Sequence, residues 1–413
     1  MALTGLTLLL LACLMGRLTR DALHPGLGFA AVWGLSLLLI EAGQASGYYP
    51  VQLPALMLFL VGGLAFAAGA WQGSSLARPG PPAAALELPL QFGRLALCIW
   101  LLHALLLPLW WWQVQAVSGG AEGLLALAFQ LRSKAVDEGL SVGPIAGNYL
   151  VLGLILIPVL ALGVQARRLS LWHASLLSLP WLATNLLTNG RAPLVLLFGV
   201  LIYLRLLDRR RLPLKALFAL LLLLLAFFAA GAVLVGKEGI DVGSEPAEIA
   251  GLVLKNLADY ALQGPILFSA YFEQSHLVNP SWDPLRVPCL ALQSLGLCEA
   301  GPLHQDYLPF GSGERMGNVY SVYFSTLPAY GVLGTLFFLA LYGLWAGWHH
   351  AWARGRRSLL HTLLAAHLAA AVWLSIFLDA FLPQLNFLAK LVLVLWLLPK
   401  LFGRQAAPHA CPA

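Results

Sequence analysis

Apolar residues in this chain do not alternate with polar ones. They run on, in stretches broken by short polar or Pro/Gly-rich punctuation. Many of these stretches approach the roughly 20 residues that a helix needs to cross a bilayer. The pattern predicts eleven spans, at about 2–16, 25–41, 53–72, 94–115, 147–166, 169–188, 192–207, 213–236, 319–348, 358–379 and 384–402. Residues 1–16 carry no basic n-region, so a cleaved signal peptide is not expected. No internal repeat is found, which gives an inverted-repeat transporter no support. The expected fold is an all-α polytopic membrane protein, one integral domain over residues 1–413.

Composition strengthens this reading. Hydrophobic residues make up 60% of the 413 and charged residues only 10%, where a soluble chain would carry about a quarter charged. Cationic residues set the orientation. One set of connectors holds 16 of the 24 Lys and Arg, the other set holds seven, and Lys390 lies inside the last span. The richer set is expected to be cytoplasmic, with the N-terminus outside and the C-terminus inside. The net charge of +6 is then a topology signal, and it gives no reason to expect nucleic-acid binding.

Two long segments fall outside, 116–146 and the large 237–318. Residues 120–136 and 245–261 read as amphipathic helices at the interface. Residues 264–276 read as another helix or a re-entrant piece, and 279–317 as irregular chain rich in Pro, Gly and Asn. These segments are expected to fold back over the spans and cap a cavity. The cytoplasmic connectors are too short for a nucleotide-binding domain, and no GxxxxGK[ST] loop occurs. Cys289 and Cys298 share the large outer loop, where an oxidising compartment would pair them, the alternative being two free thiols. Cys13 and Cys98 lie in spans, as small buried apolar residues. Neither CxxC nor a His/Cys cluster appears, so no metal site and no cofactor are expected.

The candidate chemistry lies in the outer arginines. Arg132, Arg191, Arg286 and Arg315 sit against the positive-inside trend, and their planar forks suit a phosphate-bearing or acidic substrate. Arg132 ends the first amphipathic helix, where snorkelling to headgroups is the plain alternative. Arg191 sits in the short turn TNGRAP, and Arg315 in the glycine-rich GSGERMGNVY. His304, two residues before Asp306, is the first candidate base, with Glu273 and Glu314 as rivals. Asp379 and Lys390 are ionisable groups in or near the membrane that could pair or line the cavity. Thr184, Asn185, Thr188 and Asn189 form a polar stripe leading to Arg191, with hydrogen bonding between helices as the plain reading.

The segment MGNVYSVYFSTLPAYGVLGTLFFLALYGLWAG (316–347) resembles the late-span signature of the Wzy-type O-antigen polymerases, the oligosaccharide repeat-unit polymerases. Asn318, Tyr320, Ser321, Tyr330, Gly331 and Gly334 carry the resemblance. The turn 188–204 is similar to the family's short Arg-bearing turn, and Arg132 to Gly143 matches an Arg-x10-Gly spacing proposed for some members. A second copy is absent, because only nine residues separate Arg286 from Gly296. The resemblance covers about a quarter of the chain.

It implies an enzyme of the bacterial inner membrane acting at the periplasmic face. The substrate would be an undecaprenyl-diphosphate-linked oligosaccharide, and a chain-length regulator protein would be a partner. The growing glycan would pass from its lipid diphosphate to the incoming unit without a metal. Arg191 and Arg315 would neutralise the diphosphate, Arg132 or Arg286 would assist, and His304 or Glu273 would deprotonate the acceptor. Asn318 and Tyr320 would join the substrate site, while Tyr271, Trp282 and Tyr307 could stack on sugars or simply pack. An O-antigen ligase shares this architecture and donor, and a lipid-linked oligosaccharide transporter is the non-enzyme alternative. A polyprenyl-phosphate-sugar glycosyltransferase is disfavoured, because its acidic first outer loop is here GQASGYYPVQ (43–52).

Overall fold

A computed structural model describes the chain except for residues 78–85, 87, 138–142, 189–190, 209–221, 223–225, 227–228, 230–244, 275–277, 302–306, 314, 356–357 and 404–413. The described residues are overwhelmingly helical. The helices are α1 (Ala2–Thr19), α2 (Pro25–Gly43), α3 (Leu53–Leu76), α4 (Phe92–Ser118), α5 (Leu124–Asp137), α6 (Pro144–Gln165) and α7 (Leu171–Leu187). They continue with α8 (Arg191–Asp208), α9 (Pro246–Gln274), α10 (Arg286–Gln293), α11 (Leu327–Gly355), α12 (Leu359–Leu374) and α13 (Leu385–Phe402). Among the described residues, seven helices are long and apolar enough to cross a membrane, and α12 is a shorter apolar one. The chain is thus an all-α protein built for the bilayer. The expected span 213–236 lies largely outside the described residues.

The chain divides into two compact units. One comprises Met1–Ala85, Leu206–Arg210 and Leu254–Leu388; the other comprises Leu86–Arg205, Arg211–Val253 and Ala389–Ala413.

In the first unit, α3 and α11 cross with their backbones nearly in contact. A Cβ at Gly69 would lie 2.1 Å from the carbonyl oxygen of Ala340, and one at Gly343 would lie 2.1 Å from that of Phe66. Gly73 and Gly347 face Leu344 and Ala70 in the same way. Lipid tails are as apolar as leucine, so burial alone cannot drive helices together in a bilayer. Close approach of small residues supplies dispersion contacts instead.

The end of this crossing near Ser74 and Gly347 is polar. Ser74 Oγ donates to the Gly347 carbonyl (3.1 Å), and His24 Nε2 meets the same hydroxyl at 3.1 Å. His24 Nδ1 accepts from Gly26 N–H and caps α2, which fixes the ring as the Nε2–H tautomer. Burial and the nearby His350 charge push His24 down to about 4. Asp21 binds Arg354 and accepts from His350 at 2.8 Å. Burial raises its carboxyl, but these two partners outweigh that and hold it well below the usual carboxylate range.

Several expectations change in this unit, among them 279–317, expected as irregular chain, which holds α10 and the short paired strands Leu308–Pro309 and Met316–Gly317. The expected span 319–348 starts late: residues 320–326 are buried yet non-helical, and helix begins at Leu327-Pro328. The segment YSVYFST is β-branched, aromatic and hydroxylic, a poor helix former, whereas proline suits a first turn. Gly331 then kinks α11 with φ 64° and ψ −167°, a region open essentially to glycine. The pieces expected at 245–261 and 264–276 form one helix, α9, running through Pro265. Its residues Leu262, Ile266, Leu267 and Phe268 join the core with Phe59 and Tyr323, so this half is buried. Cys13 is exposed on α1 where burial was expected, while the Cys289–Cys298 disulfide is formed.

In the second unit, His103 bridges α4, α6 and α7 through Tyr149 Oη (2.8 Å) and the Leu177 carbonyl (2.8 Å). Lys390 donates to Asn148 Oδ1 at 2.8 Å.

Candidate functional site

Two non-helical stretches of the first unit meet, residues 320–326 and the α12–α13 connector 375–384. Irregular backbone at membrane depth persists only where protein covers it or where it lines a cavity. Here it does both. Val322 N–H donates to the Ser375 carbonyl (2.8 Å), and Trp33 Nε1 donates to Ser375 Oγ (3.0 Å). Tyr323, fully buried among Trp33, Phe59 and Phe268, donates to the Phe59 carbonyl at 3.1 Å.

Above this join lies a cavity of about 340 Å³. Its floor is Ser321, Ser325 and Asp379, its wall Tyr320 and Phe324, and its rim Asp283 and Arg286. The rings of Tyr320 and Phe324 stack at 4.2 Å. Asp379 is 7% exposed. Its Oδ2 accepts from Ser325 Oγ at 2.5 Å and from Tyr342 Oη at 2.9 Å, and its Oδ1 accepts from Phe381 N–H at 2.7 Å. Charge-assisted hydrogen bonds of this kind favour the ionised carboxylate, while burial opposes it. Ser321 is 1% exposed, and its Oγ has no hydrogen-bond partner. A buried hydroxyl without a partner costs about 1–3 kcal/mol.

The rim is braced. Asp283 accepts from Ser281 Oγ (2.8 Å) and from Gly301 N–H (2.6 Å). Arg286, exposed, opens α10, and the Cys289–Cys298 disulfide staples that helix to the chain beyond it.

Of the residues singled out in the sequence, the structure brings Arg286, Tyr320, Ser321 and Asp379 to this cavity. Asn318 is half-buried just ahead of it. Glu273 is exposed near the end of α9 and does not line it. Arg315 lies in a latch. Its Nη1 donates to the Ser46 carbonyl (2.7 Å), its Nε lies 3.9 Å from Asp259 Oδ1, and its guanidinium sits 4.5 Å above the Tyr48 ring. Tyr48 donates to Asp259 at 2.7 Å, and burial together with that carboxylate pushes its phenol up to about 12. The latch holds the β1–β2 turn (Leu308–Pro309, Met316–Gly317) to the α2–α3 connector.

Arg191 opens α8 and Arg132 lies in α5, both in the second unit, and their side chains are outside the described residues, as are His304 and Glu314. The stripe before Arg191 bonds its own helix: Thr184 to Pro180, Asn185 to Trp181 and Thr188 to Thr184. Asp379 and Lys390 each have other partners and do not pair. Among the described residues, no group of three or more His, Cys, Asp and Glu could hold a metal.

The sequence reading named Ser321 only as a residue that carries the resemblance, and it missed Ser325 and Tyr342. The only signal was a run of hydroxyl residues ahead of a Leu-Pro helix start. No protein family, no curated protein and no solved structure matches the chain.

Proposed function

We propose that this chain is a membrane glycosyltransferase of the Wzy type. It polymerises undecaprenyl-diphosphate-linked oligosaccharide repeat units at the periplasmic face of the bacterial inner membrane. The observation that carries the reading is the cavity itself, with an arginine at the rim and a carboxylate among hydroxyls at the floor. Polymerisation needs both: cations for a departing diphosphate and a proton acceptor for the incoming hydroxyl.

Arg286 stands where a diphosphate entering from the outer leaflet would meet it, and its fork can pair two phosphate oxygens at once. Tyr320 and Phe324 present an aromatic wall to a sugar. Ser321, with no partner of its own, hydrogen-bonds a sugar hydroxyl. Arg191, Arg315 and Arg132 add to the positive field over the outer face, and Asn318 supports the approach to the wall. In this reading the orientation follows the Lys and Arg count. The disulfide agrees with it, since paired cysteines belong to an oxidising compartment.

Surface polysaccharide from a strain lacking the chain tests the proposal. Wild type should restore a ladder of long chains, and Arg286→Ala should leave core plus one repeat unit at unchanged protein level. Loss of about 100-fold in polymer is expected from removing one such electrostatic contact. Long chains that accumulate on undecaprenyl diphosphate in the deletion, with none on lipid A-core, would make the chain a ligase. An unchanged polysaccharide would sink both and favour a transporter.

A further inference from the structure

We propose that Asp379 is the general base that deprotonates the acceptor hydroxyl, with Ser325 and Tyr342 as positioning residues. The proposal rests on the glycosyl-transfer reading above and names the group that moves the proton. Of the candidates taken from sequence, Glu273 yields to it on placement, and His304 lies outside the described residues. Glu273 is exposed and off the cavity, whereas Asp379 forms its floor.

Three observations converge on this residue. First, Asp379 is held in place from both sides, by hydroxyls of 320–326 and α11 at one oxygen and by a backbone N–H at the other. Such bracing fixes a carboxylate within the tolerance that proton transfer demands. Second, it lines the cavity together with the stacked rings of Tyr320 and Phe324, beside which a sugar would lie. Third, a carboxylate taken out of water in an irregular connector of a membrane protein is a costly feature to keep for packing alone. The charged and titratable groups around it are Tyr342 on α11, Tyr320 on the wall, and Asp283 and Arg286 on the rim.

The step balances as written. The acceptor O–H gives its proton to an Asp379 carboxylate oxygen while its oxygen bonds the anomeric carbon of the donor. The anomeric C–O bond to the diphosphate breaks, and its electron pair leaves with the polyprenyl diphosphate. Arg286 faces that leaving charge. The protonated Asp379 later returns its proton to water.

The test uses the full chain. A deletion strain is complemented with wild type, Asp379→Asn, Asp379→Glu or Ser325→Ala at matched membrane level. The purified proteins in nanodiscs are titrated with undecaprenyl diphosphate. Asp379→Asn preserves shape, and should cut polymer by about 100-fold or more while holding diphosphate affinity within about threefold. Asp379→Glu should recover part of the product. Ser325→Ala removes a donor to the charged form, so the acid limb of its pH–rate profile should move to higher pH.

Asp379→Asn that polymerises within about tenfold of wild type overturns the base and leaves glycosyl transfer standing. If Asp379→Asn instead fails to fold, the Ser325→Ala profile decides, and an unmoved acid limb overturns the proposal. A wild-type gene without effect on any surface polysaccharide overturns the reading beneath it.

Discussion

Tyr342 and Gly343 are neighbours on α11 and serve opposite kinds of packing. Gly343 faces α3, where only hydrogen fits between the two backbones. Tyr342 faces the connector, where its hydroxyl donates to Asp379 and its ring stacks on Phe381 at 4.4 Å. One surface is close-packed through glycines and carries polar side chains only at its Ser74 end. The other is roomy and carries hydroxyls, a carboxylate and chain that is not helical. A single helix can therefore hold a rigid crossing on one side and frame a reactive cavity on the other. The rigidity of the first fixes the geometry of the second.

The comparison breaks most sharply at Gly69. Gly69→Leu should abolish the crossing, at a cost above ~3 kcal/mol, read as loss of the monodisperse peak in detergent. Gly69→Ala should still fold with a lowered melting temperature. Acid should weaken the polar end of the same crossing. His24 is held down to about 4, whereas the unfolded chain takes up this proton near 6.5. Its contribution to stability is present above pH 6.5 and is lost as the pH falls through 4, by up to ~3 kcal/mol. Melting temperature measured across this window should fall in wild type, and His24→Asn should flatten that part of the fall while keeping a cap.

On the cavity side the expected effects on stability are smaller. Tyr342→Phe removes a hydrogen bond to a carboxylate and should cost about 2 kcal/mol, leaving the α3–α11 contact intact in crosslinking between the helices. Arg315→Ala, in the latch, should cost about 1 kcal/mol in the same melting assay. If it abolished product at full stability, the outer arginines would act beyond the latch.

Helix starts were legible where a proline opens an apolar run, as at Pro25 and Leu53-Pro54, because boundary chemistry there is local. The start of α11 was not, because Val319, Tyr320 and Val322 count as apolar whether or not they are helical. The bound at Leu327-Pro328 is set by a tertiary join to Ser375. Arg286 and Tyr320 could be picked out by type and neighbourhood. Asp379 was visible as a charge near the membrane, but its partner Ser325 lies 54 residues away in sequence. No local pattern encodes that distance. Ser321 becomes informative only through what it lacks, and a sequence cannot show an unmade hydrogen bond.

The kink at Gly331 has a consequence for how this chain folds. Helix growth is cooperative: once nucleated, it extends residue by residue at little cost. The long run of α11 after Gly331 would tend to propagate back toward Tyr320 and wind the cavity floor into another turn of helix. A left-handed glycine interrupts that propagation at one position. It works as an insulator between a strong helix former and a segment that must stay uncoiled, and any side chain at 331 would trade the boundary for strain.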